Sequence, residues 1–270
     1  MHIRLRALAA LRQTDPDDKL RATRALVTQL AHAPLTDEAV RRPGDEAGVP
    51  GRPERPLRVS ATAVPHRSPF TPEGRAALIH SICHIEFNAI NLALDAVWRF
   101  DGMPAAYYLD WLRVADEEAQ HFALLHAHLQ GMGYAYGDFP GHDGLWTMCE
   151  KTSGDVLARM ALVPRTLEAR GLDATPQIQA KLRRVNTPDA MAATGILDII
   201  LRDEVGHVAI GNHWYRWLCE RAGIDAEAAY PELVERYKAP RLRPPFNLEA
   251  RERAGFSAAE LRALAAPPAD

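Results

Sequence analysis

Two tetrads of identical spacing are the residues of this chain best suited to chemistry: Glu118-Ala-Gln-His121 and Glu204-Val-Gly-His207. Residues three apart on a helix share a face, so each tetrad aims one carboxylate and one imidazole at a common point. An acid in an apolar setting precedes each tetrad. Glu86 lies in the run Ile85 to Ile90, and Glu168 closes Arg165-Thr-Leu-Glu168. Four bare carboxylates gathered in an apolar interior are costly unless they take up protons or bind cations. Four carboxylates and two imidazoles therefore read as the ligands of two metal ions. Mixed oxygen and nitrogen donors suit two irons, or manganese or a mixed iron–manganese pair. Zinc suits them less, because six ligands for two ions leave bridging carboxylates and open positions rather than closed tetrahedra. A single tetrad of this kind arises by chance, and a lone helical Glu ordinarily faces solvent. The doubling, with a matched upstream acid each time, favours the ligand reading. Asp203 and Glu117 each stand immediately before a ligand glutamate. In an antiparallel bundle they could accept the outer N–H of a ligand histidine, Asp203 from His121 and Glu117 from His207; the alternative is a surface acid beside a ligand, with a buried role favoured for Asp203. No catalytic residue beyond the metal ligands stands out.

The elements that must position these groups are helices. Of 20 prolines, nine lie in residues 1–72, five in 240–270 and only six in the 167 residues between, which leaves long stretches without breakers. A first long helix is expected from Pro72 to Phe100, opened by Thr71-Pro72-Glu73 and ended at Asp101-Gly102. A second runs from Pro104 to Gln130. A third covers Leu145 to Ala169, breaks at Arg170-Gly171 and is extended after a kink by Pro176–Val185. A fourth runs from Thr187-Pro188-Asp189 to Ala222. Pro164 should kink the third helix. A shorter helix, Asp17–His32, precedes an irregular Pro-rich connection over 34–72. The first and fourth long helices are apolar on nearly all sides, as buried helices are. Glu86 and Glu118 lie 15 and 16 residues from the intervening turn, roughly 23 and 24 Å at 1.5 Å per residue, so antiparallel packing brings them to one height. No strand alternation is present. The fold class is all-α, a four-helix bundle whose ligand arrangement is that of ferritin-like di-metal proteins. One domain spans 1–270: an N-terminal helix and Pro-rich wrapping segment (1–71), the di-metal bundle (72–222) and a C-terminal extension (223–270).

Composition narrows the classes. The chain has 270 residues, 47% hydrophobic and 25% charged, with a formal charge of -3. That balance supplies no bulk attraction to nucleic acid or anionic membrane. No apolar run reaches 18 residues, and no signal peptide is evident. Three cysteines without a C-x-x-C pair argue against a disulfide framework or zinc knuckle, so a cytoplasmic location is expected.

The doubled pattern resembles the ferritin-like superfamily over about residues 72–222. More closely, the chain resembles an uncharacterised bacterial family of ferritin-like proteins, a domain of unknown function. The similar stretches are ALIHSICHIEFNAINLALDAVWRF, DWLRVADEEAQHF, YGDFPGHDGLW, RMALVPRTLEARGLD, ILRDEVGHVAIGNHW and PPFNLEARERAGF, together with DPDDKL and GRPERP. That family is distantly similar to di-iron tRNA hydroxylases. The resemblance implies Glu86, Glu118, His121, Glu168, Glu204 and His207 as ligands, all present here, and a small-molecule or modified-nucleoside substrate.

Other residues invite weaker readings. His80 and His84 are expected to be core or surface histidines rather than ligands, His128 a bundle-end histidine, and Tyr107 and Tyr108 to serve packing. The loop Tyr134–Gly144 is a candidate for substrate contact. Arg241, Arg243, Arg251 and Arg253 form a basic run that could take an anion but is more readily a solvated face. Two function classes result. The favoured one is an O2- or peroxide-activating oxidoreductase of hydroxylase or oxidase type, served by an electron donor, as a monomer or small homo-oligomer. The alternative is a non-catalytic iron-binding or peroxide-detoxifying ferritin-like protein.

Overall fold

The computed structural model describes residues 3–30 and 47–266. Every regular element among them is helical, with one isolated β-bridge between Arg58 and Gly141. The chain divides into two compact units, Met1–Trp146 and Thr147–Asp270.

The first unit is built on α3 (Pro72–Arg99) and α4 (Ala105–Gly131), which pack chiefly on each other, with α1 (Ile3–Leu11) on α3 and α2 (Pro16–Leu30) on α4. The bounds of α3 and α4 follow the local signals. Thr71 accepts the Gly74 N–H as N-cap and Pro72 fills the first position. Gly102 takes the left-handed conformation, φ 65°, in the turn that separates the two helices. The helix α1 was not expected from the sequence. It is fastened by Arg4, a buried residue whose Nε donates to the Trp98 carbonyl at the end of α3, at 3.0 Å. The helix expected over 17–32 runs from Pro16 to Leu30. Residues 31–32 and the first part of the Pro-rich connection lie outside the described residues. By length and hydropathy α3 could cross a membrane, but 78% of its apolar window is buried within the protein, as in a core helix.

The chain enters the second unit within α5 (Gly144–Lys151). There follow α6 (Val156–Leu162), a π-helical segment Val163–Glu168, α7 (Ala169–Val185) and α8 (Pro188–Ala222). Next come α9 (Ala226–Arg236), α10 (Leu248–Arg253) and α11 (Ala258–Ala265). The third long helix expected from the sequence is therefore corrected. It breaks earlier, after Lys151, where Asp155 starts α6 by accepting the Ala158 N–H. It does not break at Gly171, and α7 runs through both Gly171 and Pro176. The kink expected at Pro164 takes the form of the π-helical segment. Proline supplies no N–H there, and Thr166 Oγ1 donates to the Ala161 carbonyl five residues back, at 2.7 Å. Glycine at 211 lets α8 approach this segment. A Cβ there would sit 2.5 Å from the Cβ of Pro164. The α8 helix packs on α6, the π segment and α7, while α10 packs on α7 and α8. The seam is a cluster of Ala169, Leu172, Val208, Ala250, Ala254 and Phe256.

Candidate metal centre

In the first unit, α3 carries Glu86 at mid-helix, and α4 carries Glu118 and His121 one turn apart. The helical period sets the first link, since positions 118 and 121 share a face. The α3–α4 packing sets the second. Ligand-type atoms of the three residues all lie within 4.8 Å of one another. His121 Nδ1 stands 3.1 Å from Glu118 Oε2 and 3.4 Å from Glu86 Oε2. All three side chains are essentially sealed from solvent, at 3%, 0% and 1% exposure in chain order.

The electrostatics of this pocket are unbalanced in the way a cation would correct. Burial and the neighbouring Glu118 charge push the Glu86 carboxyl well above the carboxylate range. Burial works against a charged His121, but the hydrogen bond with Glu118 and the charges of Glu118 and Glu86 overcome it and raise the imidazole far above its ordinary value. Glu86 Oε2 is buried and makes no hydrogen bond among the described residues. Two carboxylates and one imidazole, dry and convergent, form a donor set able to hold a divalent ion.

The second unit places its three expected ligands on adjoining elements. Glu168 closes the π segment, and Glu204 and His207 lie one turn apart on α8. All are buried, at 7%, 6% and 0% exposure. His207 Nδ1 lies 4.0 Å from Glu204 Oε2. The Glu204 carboxylate reaches the backbone of α7 at Gly171, one turn beyond Glu168. A Cβ at 171 would stand 3.8 Å from its carboxyl carbon. Asp203 and Glu117 are both half-buried. Asp203 takes a two-point ion pair from Arg202, at 2.8 and 3.1 Å.

Several of the remaining sequence candidates have structural partners, while Arg241, Arg243 and Arg253 are exposed. His84 Nδ1 is 2.8 Å from the Tyr136 hydroxyl, and His80 Nε2 accepts the Gly137 N–H at 2.9 Å. Together they tie the 134–144 loop to α3, and burial lowers both imidazoles to about 4. The hydroxyls of Tyr107 and Tyr108 donate to the Ala96 and Phe100 carbonyls. Arg251 is not solvated. It is fully buried and donates to both Asp173 oxygens, at 2.6 and 3.0 Å. Several buried cations escaped the sequence reading, among them Lys19 and Arg165. Both lie inside stretches quoted above, but nothing in their spacing marks them as buried.

Residues 12–262 match the family model described as "Protein of unknown function (DUF455)", and the chain belongs to that family. A protein of Haemophilus influenzae described as "Uncharacterized protein" is 47% identical over 263 residues, which cover 93% of this chain and 90% of the relative. No solved structure matches the chain.

Proposed function

We propose that this member of the DUF455 family is a di-iron carboxylate protein, an oxidoreductase that uses O2 or peroxide on an organic substrate. The observation that carries this reading is the sealed Glu86–Glu118–His121 triad, whose ligand-type atoms all lie within 4.8 Å of one another. Glu168, Glu204 and His207 repeat its composition and the three-residue spacing of its Glu–His pair. The proposal therefore gives the chain two iron ions, with manganese or a mixed pair as chemically equivalent occupants. It places all six ligands in one ferritin-like four-helix bundle, a single cytoplasmic domain. When bound, such a pair supplies the redox equivalents and the Lewis acidity for attacking an unactivated bond.

The chain's own residues do the rest. The carboxylates of Glu86, Glu118, Glu168 and Glu204 supply negative charge that favours metal over proton. His121 and His207 act as neutral donors once their protons have left. Asp203 and Glu117 are assigned the outer N–H groups of the ligand histidines, which fixes ring orientation. The burial of every ligand keeps bulk water away from the reacting centre.

The flanking segments favour this class over an iron store. Helices α1 and α2 cover α3 and α4, and α10 covers α7 and α8. Faces that a storage shell would use for packing are thus occupied by the chain itself. Adding excess ferrous iron and air to apo-protein tests the choice. Oxidation should stop near two irons per chain, in a particle the size of a monomer or small oligomer. Glu118→Ala or His207→Ala should each lose at least one ion. Full metal occupancy in both variants would remove the site assignment, and sequestration of tens of ferric ions per chain would overturn the enzyme reading.

A further inference from the structure

The π-helical segment is held from outside by the C-terminal part of the chain to a degree that packing alone does not require. Three residues before Glu168, Arg165 is 2% exposed and lies beneath three aromatic rings, Tyr215 at 5.1 Å and Tyr230 and Phe256 at 4.8 Å. Its Nη1 donates to Asn212 Oδ1 at 2.6 Å, and its Nη2 pairs with the Glu260 carboxylate. Asn212 in turn donates to the Ala254 carbonyl at 2.8 Å. Glu260 is itself held in place. It completes a capping box with Ser257 at the start of α11 and pairs with Arg216 at 3.4 Å. Thr166 meets the Tyr230 hydroxyl at 2.8 Å.

Five residues after Glu168, Asp173 receives Arg251 through two hydrogen bonds and the Asn247 N–H at 2.9 Å. Arg251 also donates to the Ala169 carbonyl at 3.3 Å. Residues from α9, α10, α11 and their connections thus grip the backbone on both sides of Glu168. A wide π turn lacks the register of an α-helix and depends on such outside contacts to hold one geometry.

We infer that the C-terminal segment is a clamp that positions Glu168: the Arg165–Glu260 and Asp173–Arg251 pairs fix the π turn so that its carboxylate is presented for metal binding. This rests on the reading of Glu168 as a ligand. Glu260 and Asp173 are positioning residues, and neither is placed on the metal. A support of this kind has a signature that a purely stabilising contact lacks. Its loss should weaken one metal ion selectively, leave the Glu86–Glu118–His121 triad competent, and loosen the backbone of the π turn alone.

The experiment uses the full chain, with Glu260→Gln and Asp173→Asn as probes. Tyr237→Phe serves as the control, since it removes a hydrogen bond to Asp155 in the same unit without touching the π turn. Cobalt(II) titration followed by absorbance counts ions and their affinities, and amide hydrogen exchange of the metal-free proteins reads the backbone. The parent and Tyr237→Phe should bind two ions. Each probe should keep one ion at parental affinity and lose at least tenfold on the other, the scale of outer-sphere losses at metal sites. Exchange should quicken over 163–169 and stay parental in α3 and α4. Parental affinity for both ions in both probes, or unchanged exchange over 163–169, would overturn the clamp. Binding lost equally for both ions would overturn it too, since that marks general destabilisation. A parent that binds no cobalt overturns the metal reading and the role given to Glu168, whereas the exchange measurement still decides whether these pairs hold the π turn.

Discussion

Lys19 should make the stability of this protein rise with pH across a range where most proteins are flat or declining. Its side chain has no exposure, and Nζ donates to the Leu11 carbonyl and to Asn91 Oδ1, both at 2.7 Å. A neutral amine has two N–H groups and these two acceptors satisfy it. The third proton of an ammonium would need an acceptor beyond them. Burial, helped by the charge of Arg52, lowers this amine to about 7. In the unfolded chain it titrates near 10.4. Between those values the unfolded state holds a proton that the folded state has given up, so stability increases with pH, by about 1.4 kcal/mol per unit. From pH 7 to pH 10 the gain approaches about 4 kcal/mol, and below pH 6 it vanishes because both states are protonated. Lys19→Met keeps the length of the side chain and removes the titration. It leaves Asn91 Oδ1 without its Lys19 donor, while the Leu11 carbonyl keeps the Gly51 N–H, a cost of about 1–3 kcal/mol that does not depend on pH. Urea unfolding of parent and variant at pH 6 to 10, with chelator present, isolates the effect. The carboxylate cluster and every other group cancel in the difference between the two proteins. That difference should shift in favour of the parent by several kcal/mol over the range. A difference that stays constant within about 1 kcal/mol would show that Lys19 keeps its proton when folded and would refute the reasoning.

Three further outcomes are expected. Because Glu86 and His121 are both raised, the metal-free triad carries protons that a cation must displace, so metal affinity should increase with pH, about tenfold per unit for each proton released; titration calorimetry in buffers of different ionisation enthalpy would count those protons, and no release between pH 6 and 8 would contradict the assigned directions. Gly211→Val should destabilise by about 1–3 kcal/mol, because the new Cβ would overlap Pro164 of the π segment; an unchanged melting temperature would mean that the two elements part freely. Asp203→Ala should weaken metal binding roughly 10–100-fold while keeping the helical content seen by circular dichroism; unchanged affinity would reduce Asp203 to the partner of Arg202.

Local signals set the bounds of α3, α4 and α8, and the sequence carries them openly: Thr71-Pro72 at one start, Thr187-Pro188 at another, Gly102 and Gly223 beyond the ends. The link between Glu118 and His121 is local in the same sense, since a period of 3.6 residues places them together wherever the helix goes. Asp155 was a readable cap as well, but the apolar continuity of 145–169 obscured the break before it, and the Ala- and Leu-rich run of α1 was helical without any motif to mark it. Other features lay beyond any local reading. Whether Glu86 meets His121 depends on how α3 and α4 pack, and whether Pro164 kinks a helix or opens a π turn depends on α8 offering Gly211. A basic side chain reads as solvated because desolvating a charge is costly, and only a partner supplied from far along the chain reverses that cost. Arg165 finds Glu260 95 residues away, Arg251 finds Asp173 78 residues away, and Lys19 finds Asn91 72 residues away. Helix periodicity is a property of neighbours in sequence and could be read there, whereas the burial of these three cations is a property of distant segments meeting and belongs to the tertiary structure alone.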